Sequence, residues 1–504
     1  MTGEIAHVLR NVLGLQAGDR VAIVSPNSTI FVMTFLAIAR AGLTSVPLNP
    51  LYSPEELAHP LEDSDVRVVL AHPVAAKSVL ACLEKMKRKP TLPNGQPSVW
   101  LLDDGDKEAT GPAPLKDLRS QLSKEQLPVQ KIGDSSKTPV TIVYSSGTSG
   151  KPKGVMLAHD ALIANTETVV FTAQADFHPG NTIGAVLPMF HIFGINVLLL
   201  SPLLVGIEIV VLPRFDIEMF CAMVQRFKVA FVLVVPPMLL MLARSPAVNK
   251  YDLSSLRVLL SGAAPLSPEL GDEVERRLPN VRVTQGYGLS ETAPILTVTP
   301  SNEYHNFKGS CGEAAYGVEL RLVTDDDKDV AFEQGANGNP GELWARGRNI
   351  MMGYVNNKEA TDDCLTDDGW FKTGDIAILR NNHFYIVDRK KELIKYKGFQ
   401  VPPAELEALI LTHPQVADVA VVGLQSKQEA TELPLAFVVP RSFDASSAPQ
   451  DKKDALSKDV IEWVGQRVAN HKKLRGGVRI IPAIPKNASG KILRRELRDS
   501  VNPK

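Results

Sequence analysis

The chain is short of several things, and each shortage excludes a class of protein. It has four cysteines in 504 residues, Cys82, Cys221, Cys311 and Cys364, too far apart for any metal-ligand spacing. A disulfide scaffold and a zinc module are thereby excluded, and the expectation is free, mostly buried thiols in a reducing compartment. No excess of either charge exists: Lys plus Arg is 55 and Asp plus Glu is 56. That balance gives no general pull toward nucleic acid or an anionic membrane surface. Long apolar runs are missing too. The most apolar stretches, 197–212 and 229–242, are interrupted by Pro202, Gly206 and Glu208 and by Pro236-Pro237, and both are too short for a membrane span. The first residues lack the basic start and apolar core of a signal peptide, and Val501-Asn-Pro-Lys504 is not a Ser-Lys-Leu peroxisomal tail. The expectation is a cytoplasmic protein with no integral membrane segment.

What is present is a globular composition, 44% hydrophobic and 22% charged, in a chain too long for one core. Two or more domains are expected. Up to about residue 71, short apolar runs (20–24, 44–48, 66–71) alternate with helical patterns (4–15, 29–41, and one opening at Pro54 with Ser53 as its cap). This alternation predicts an α/β fold with parallel sheets covered by helices on both faces. Residues 85–137 read as surface connection around one short strand at 99–102. Shorter β-like runs from about 318 to 387 predict an appended β-rich lobe. A basic run opens at Arg389, and the rest of the chain reads as a small α+β module. A domain boundary near 388–391 divides an N-terminal domain, 1–390, from a C-terminal one, 391–504.

The densest chemistry lies in Tyr144-Ser-Ser-Gly-Thr-Ser-Gly-Lys-Pro-Lys-Gly154. Its glycines allow backbone N–H groups to approach an anion, and its hydroxyls and lysines add donors and charge. A polyphosphate cradle and a plain Gly/Ser turn both fit. A Walker A loop does not, because only two residues separate Gly147 from Gly150 and Pro152 follows Lys151. The stretch is read as leaving a strand and leading to a helix from about His159. Three further strands, 182–187, 257–261 and 281–285, end in loops of small or polar residues: Pro188-Met-Phe-His191, Gly262-Ala-Ala-Pro-Leu and Gly286-Tyr-Gly-Leu-Ser-Glu-Thr. In open parallel sheets ligands collect at such carboxyl ends.

Six segments, 144–154, 285–292, 341–354, 370–375, 388–407 and 485–495, occur in an order that resembles the adenylate-forming superfamily. Within it, Pro188-Met-Phe-His-Ile-Phe-Gly, Ser261-Gly-Ala-Ala-Pro-Leu and the run 391–401 are most similar to 4-coumarate–CoA ligases and related acyl-CoA synthetases. The resemblance implies an enzyme that uses ATP and Mg2+ to convert a carboxylic acid into an acyl-adenylate. It then passes the acyl group to coenzyme A; delivery to a carrier protein, luciferase-like oxidation of the adenylate, and a non-catalytic nucleotide-binding relative on the same fold are the open alternatives.

By the same resemblance, Ser145, Ser146, Gly147, Thr148, Ser149, Gly150 and Lys153 would hold the leaving phosphates. Ser290 would bond phosphate, and Glu291 would bind Mg2+. Lys491 would bridge the carboxylate and the α-phosphate. Tyr287, flanked by Gly286 and Gly288, would lie against adenine, with Ala264 and Gln285 lining the slot. Asp375 would hold the ribose hydroxyls, with Arg389, Lys391 and Lys395 nearby. Lys391 also matches the hinge about which the C-terminal module would swing, bringing Lys397 and Gly398 to the pantetheine arm, with Arg214 facing CoA phosphate. His191 would orient the substrate carboxylate; with His there, an amino-acid substrate has no ammonium partner. Phe193, Val197, Gly262, Pro294 and Ile295 would line an apolar acyl pocket. Phe193 stands where 4-coumarate ligases tend to have Tyr, which points to an aromatic or medium-chain apolar acid without a phenol. The basic run 389–397 contains Leu393 and Ile394, and reads as part of this machinery rather than as a nucleic-acid patch. Relatives usually carry more residues ahead of their first strand.

Overall fold

The computed structural model describes residues 1–504 except 93–97, 103–116, 146–151, 174–176, 301–302, 304–305, 331–337, 398, 427–428, 430, 488–489 and 503–504. Two seven-stranded sheets form its centre. The first takes strands Arg20–Val24, Thr44–Leu48, Val66–Ala71 and Val99–Leu101 in parallel with Pro139–Ser145, and closes on an antiparallel edge of Lys153–Ala158 and Gly353–Tyr354. The second runs parallel through Glu208–Val211, Thr182–Ala185, Phe231–Val234, Val258–Ser261 and Arg282–Gly288. It too ends on an antiparallel edge, Ile295–Val298 and Glu313–Ala314. The central parallel strands are rich in Val, Ile, Leu and Ala, as burial on both faces requires, whereas the edge strand Glu208–Val211 is only half-buried. One apolar cluster, from Ile5 and Phe31 through Phe220 and Val232 to Phe371, joins the facing surfaces.

Local chemistry sets the element ends. Ser53 and Glu56 form a reciprocal capping box at the start of helix Pro54–Asp63. The Ser28 hydroxyl accepts from Phe31 N–H and opens the apolar helix Thr29–Arg40.

The β-rich lobe is a four-stranded antiparallel sheet, Val318–Val323, Gly341–Gly347, Phe371–Arg380 and His383–Arg389. Beyond it lie a small ribbon, Ile394–Tyr396 with Phe399–Val401, and a three-stranded sheet, Val416–Ser426, Thr431–Pro440 and Gly477–Ile480. Helices Pro403–Leu411 and Gln450–Gly465 pack on one face of that sheet and helix Arg494–Val501 on the other, each face with its own apolar cluster. Among the described residues no helix is long and apolar enough to cross a membrane.

Several elements depart from the sequence expectation. The Gly/Ser stretch joins two antiparallel strands, Pro139–Ser145 and Lys153–Ala158, and helix His159–Thr172 begins only after the second. Val155, Leu157 and Ala158 are buried in that second strand, but a six-residue run directly before a helix gives too short a period to separate the two. Helices Pro73–Lys85 and Arg494–Val501 were also not foreseen. The first starts with Pro at an early helical position behind His72, whose ring accepts from Val74 N–H.

Candidate active site

A cavity of about 600 Å3 opens where the carboxyl ends of the second sheet meet the β-rich lobe and the C-terminal module. That volume suits a nucleotide-sized ligand. Two buried amides shape its rim. Asn27 donates to the carbonyls of Leu187 and Leu212 and accepts from Met189 N–H at 2.7 Å, which braces the loop that carries His191. Gln285 accepts from Leu266 N–H at 2.8 Å and donates to the Ser310 carbonyl at 3.0 Å. It therefore holds the loop after strand Val258–Ser261 and does not line the cavity itself. In that loop the backbone turns left-handed at Ala263 (φ 66°), and Ala263 rather than Ala264 reaches the wall.

One side of the cavity is built by strand register. Asp375 and Arg389 face each other across antiparallel strands Phe371–Arg380 and His383–Arg389. Arg389 Nε lies 3.5 Å from Asp375 Oδ1, and the Tyr287 hydroxyl donates to Asp375 Oδ2 at 2.5 Å. Burial raises the Asp375 carboxyl, and Arg389 opposes the rise. Tyr287 lies between Gly286 and Gly288. A Cβ on Gly288 would stand 1.8 Å from the Pro294 carbonyl oxygen, so only glycine allows this approach.

On the opposite wall, Glu291 sits in the short turn Ser290–Thr292 and is 9% exposed. Among the described residues the single hydrogen-bond donor to its carboxylate is the Tyr354 hydroxyl, at 2.9 Å to Oε1. Lys153 stands over the Tyr354 ring, 4.6 Å from its centroid. Ser145 and Ser290 line the same wall. The calls on Ser146, Gly147, Thr148, Ser149 and Gly150 lie outside the described residues.

Lys491 enters from the C-terminal module. Its backbone N–H donates to Asn487 Oδ1 at 2.9 Å, within the turn bridged by Lys486 and Ile492. Three residues on, Arg494 pairs with Glu392 at 2.8 Å and with Glu407, which anchors this turn to the segment just past Lys391 and to helix Pro403–Leu411. Among the described residues Lys491 has no ion pair. Burial, and then the neighbouring Arg389, pull its ammonium down to about 8, against the attraction of Glu392, Asp375 and Glu291.

The third side is apolar. Leu187, Ile192, Phe193, Val235, Gly262, Pro294 and Ile295 surround His191, whose ring makes no hydrogen bond among the described residues. Burial holds the imidazole down at about 4, so it is neutral at physiological pH and free to donate or accept. The Phe193 ring packs directly on Gly262, where a Cβ would meet it at 2.9 Å.

Besides Gln285, five predicted residues lie away from the cavity, and Gly398 lies outside the described residues. Val197 is fully packed in the core. Arg214 is exposed on the loop after strand Glu208–Val211, and Lys395 is exposed on the ribbon. Lys397 is turned outward in a left-handed conformation (φ 46°), with its ammonium 2.8 Å from Glu429. Ala264, noted above, is the fifth. Tyr354 and the wall residues Trp344, Lys372, Asp363 and Cys364 received no role in the sequence reading. Tyr354 lay within a matching segment, but no spacing rule links it to Glu291 or Lys153.

The residues present fit a magnesium ion delivered with its nucleotide. Glu291 offers a hard oxygen at the cavity wall, and among the described residues no group of three or more His, Cys, Asp or Glu could hold a metal alone. Mg2+ characteristically binds through one or two carboxylates plus substrate phosphates.

Comparison with known proteins agrees with this geometry. The model of the AMP-binding enzyme family matches residues 1–355, and that of the AMP-binding enzyme C-terminal domain matches 405–491. The chain is 38% identical over 500 residues to 4-coumarate–CoA ligase 2 of Oryza sativa subsp. japonica, covering 96% of this chain and 84% of that protein. It superposes on ATP-bound MatB from Rhodopseudomonas palustris with a TM-score of 0.85 at 27% identity, covering 100% of this chain and 92% of the other. Apo MatB, with the same identity and coverage, gives 0.73. The chain belongs to the AMP-binding enzyme family. Relatives and site together define an ATP-dependent acid–thiol ligase that makes acyl-CoA through an acyl-adenylate.

Proposed function

We propose that this ligase activates an apolar carboxylic acid, aromatic or of medium chain length, and that its C-terminal module, 391–504, alternates between two positions to serve two half-reactions. The observation that carries this reading is the placement of Lys491. It lies in the cavity that holds Asp375, Arg389 and Glu291, with no ion pair among the described residues, while Lys397 is tied to Glu429 on the surface. That is the arrangement the ATP-consuming step needs, and the higher similarity to ATP-bound than to apo MatB supports it.

In this reading the neutral His191 ring orients the substrate carboxylate. Lys491 bridges that carboxylate and the α-phosphate, cancelling charge where anion meets anion. Asp375, already aligned by Arg389 and the Tyr287 hydroxyl, accepts the ribose hydroxyls, and the Tyr287 face lies against adenine. Ser145, Ser290 and Lys153 receive the leaving phosphates. Glu291 would hold Mg2+, which when bound would supply charge neutralisation on those phosphates. For the second step the hinge at Lys391 swings Lys491 out and brings Lys395, Lys397 and Gly398 in, with Arg214 meeting the phosphate of CoA. The lack of polar groups beyond His191 on the acyl side, among the described residues, supports an acid with no hydroxyl or amine on its tail.

A panel of carboxylic acids, assayed for pyrophosphate release with and without CoA, tests the reading. Release of AMP without acyl-CoA would instead favour a carrier protein or an oxidative fate for the adenylate. Lys491→Ala should lose most adenylation yet still thioesterify supplied acyl-adenylate, and equal loss of both steps would sink the two-position account. The four free thiols support a cytoplasmic setting; localisation of a tagged chain checks it.

A further inference from the structure

Tyr354 sits where three segments of the phosphate side cross. It ends the two-residue strand Gly353–Tyr354, which pairs with Lys153–Ala158 in the register Gly353 to Met156 and Tyr354 to Val155. Backbone bonds lock it on both flanks: Met352 N–H to the Met156 carbonyl at 2.9 Å and Val355 N–H to the Gly154 carbonyl at 2.8 Å. The same segment grips the Glu291 turn, since Met351 N–H donates to the Glu291 carbonyl at 2.9 Å. The Tyr354 side chain is 9% exposed and uses both of its chemical features. Its hydroxyl donates to Glu291 Oε1, and its ring face receives the Lys153 ammonium. A phenol fixed in this way holds one carboxylate oxygen and leaves the other for the cavity. The ring quadrupole holds the cation over the same wall.

We propose that Tyr354 is the positioning residue of the phosphate side: through its hydroxyl it orients Glu291 toward the metal, and through its ring it sets Lys153 toward the phosphates. This rests on the assignment of Glu291 to Mg2+ and of Lys153 to phosphate. Partners that orient a metal-binding carboxylate change metal affinity by about 10–100-fold when removed.

Tyr354→Phe keeps the ring and loses the hydroxyl, whereas Tyr354→Leu loses both. The readout is Mn2+ binding, followed by electron paramagnetic resonance, to the protein saturated with a non-hydrolysable ATP analogue. It is paired with the Mg2+ concentration at half-maximal adenylation. Tyr354→Phe should weaken metal binding about tenfold and raise the half-maximal Mg2+ to match, with excess Mg2+ restoring the rate. Tyr354→Leu should in addition weaken binding of the ATP analogue in metal-free buffer, through Lys153. The melting temperature of each ligand-free variant must stay near that of the parent. If Tyr354→Leu melts early, Tyr354→Phe alone decides.

Metal binding by Tyr354→Phe equal to the parent's, or a rate loss that Mg2+ does not restore, overturns the proposal. Glu291→Gln separates the two layers. If it binds metal like the parent, the metal assignment itself falls. If it loses metal while Tyr354→Phe does not, only the role of Tyr354 falls.

Discussion

Lys491 is the residue whose environment gives the sharpest test. An ordinary lysine ammonium titrates near 10.5, and in this cavity burial and Arg389 bring it to about 8. The difference corresponds to about 3 kcal/mol of lost preference for the charged form, at about 1.4 kcal/mol per tenfold change in acidity. A polyanion placed beside Lys491 reverses both causes, because it supplies counter-charge and offsets Arg389. Binding of Mg·ATP should therefore pull a proton onto the chain. At pH 8 about half of the free sites lack it, so uptake should be about 0.5 proton per chain, falling below about 0.1 at pH 6.5. Calorimetric titration in two buffers of different ionisation enthalpy reads that number directly. Lys491→Met should abolish the uptake. Lys491→Arg, charged throughout, should also abolish it while keeping a cation in place. The same group predicts that kcat/KM for ATP falls above about pH 8 in the parent and not in Lys491→Arg, since this ratio reports the free enzyme. Zero uptake at pH 8, or equal uptake in Lys491→Met, would refute the assignment of Lys491 to the phosphate-facing site.

Three other changes probe separate walls. Phe193→Ala removes the ring that packs on Gly262; relative kcat/KM should shift about 10-fold toward acids with bulkier tails, and an unchanged acid profile would remove Phe193 from the acyl pocket. Gly288→Ala forces a Cβ into the Pro294 carbonyl, so adenylation should be lost and the melting temperature lowered, by about 1–3 kcal/mol of stability if the loop relaxes; a fully active, equally stable variant would contradict the geometry. His191 is neutral because burial lowers its imidazole from 6.5 to about 4. Between those values the unfolded chain binds the extra proton, so this group's contribution to stability is lost as pH falls from about 6.5 to about 4. Denaturant titrations of His191→Gln across that range should show a shallower acid decline than the parent's, and parallel declines would mean that the ring is not desolvated.

Much of the fold was legible because its elements announce themselves locally. Most of the buried parallel strands carry short runs rich in Val, Ile, Leu and Ala, and helix Pro54–Asp63 carries its capping box in four consecutive residues. The hairpin around the Gly/Ser stretch was not legible, because Lys153–Ala158 becomes a strand only by pairing with Pro139–Ser145. The site divides in the same way. Asp375, Glu291, Tyr287 and Lys491 stand in ordered segments, and the structure brings them to one cavity although Glu291 and Lys491 are 200 positions apart. What the sequence could not convey is which side chains serve others. Gln285 has the polarity of a ligand contact, yet both ends of its amide are used to hold loops. Ala263 replaces Ala264 at the wall through one left-handed residue. Tyr354 reads as an aromatic in a short β run, but strand register puts it under Lys153 and against Glu291 at once. Such support roles depend on long-range pairing, which no window of neighbouring residues contains. Lys491 shows the complementary case: its motif marked it for the cavity, but only its burial there, with Arg389 beside it, determines that its charge depends on the ligand it meets.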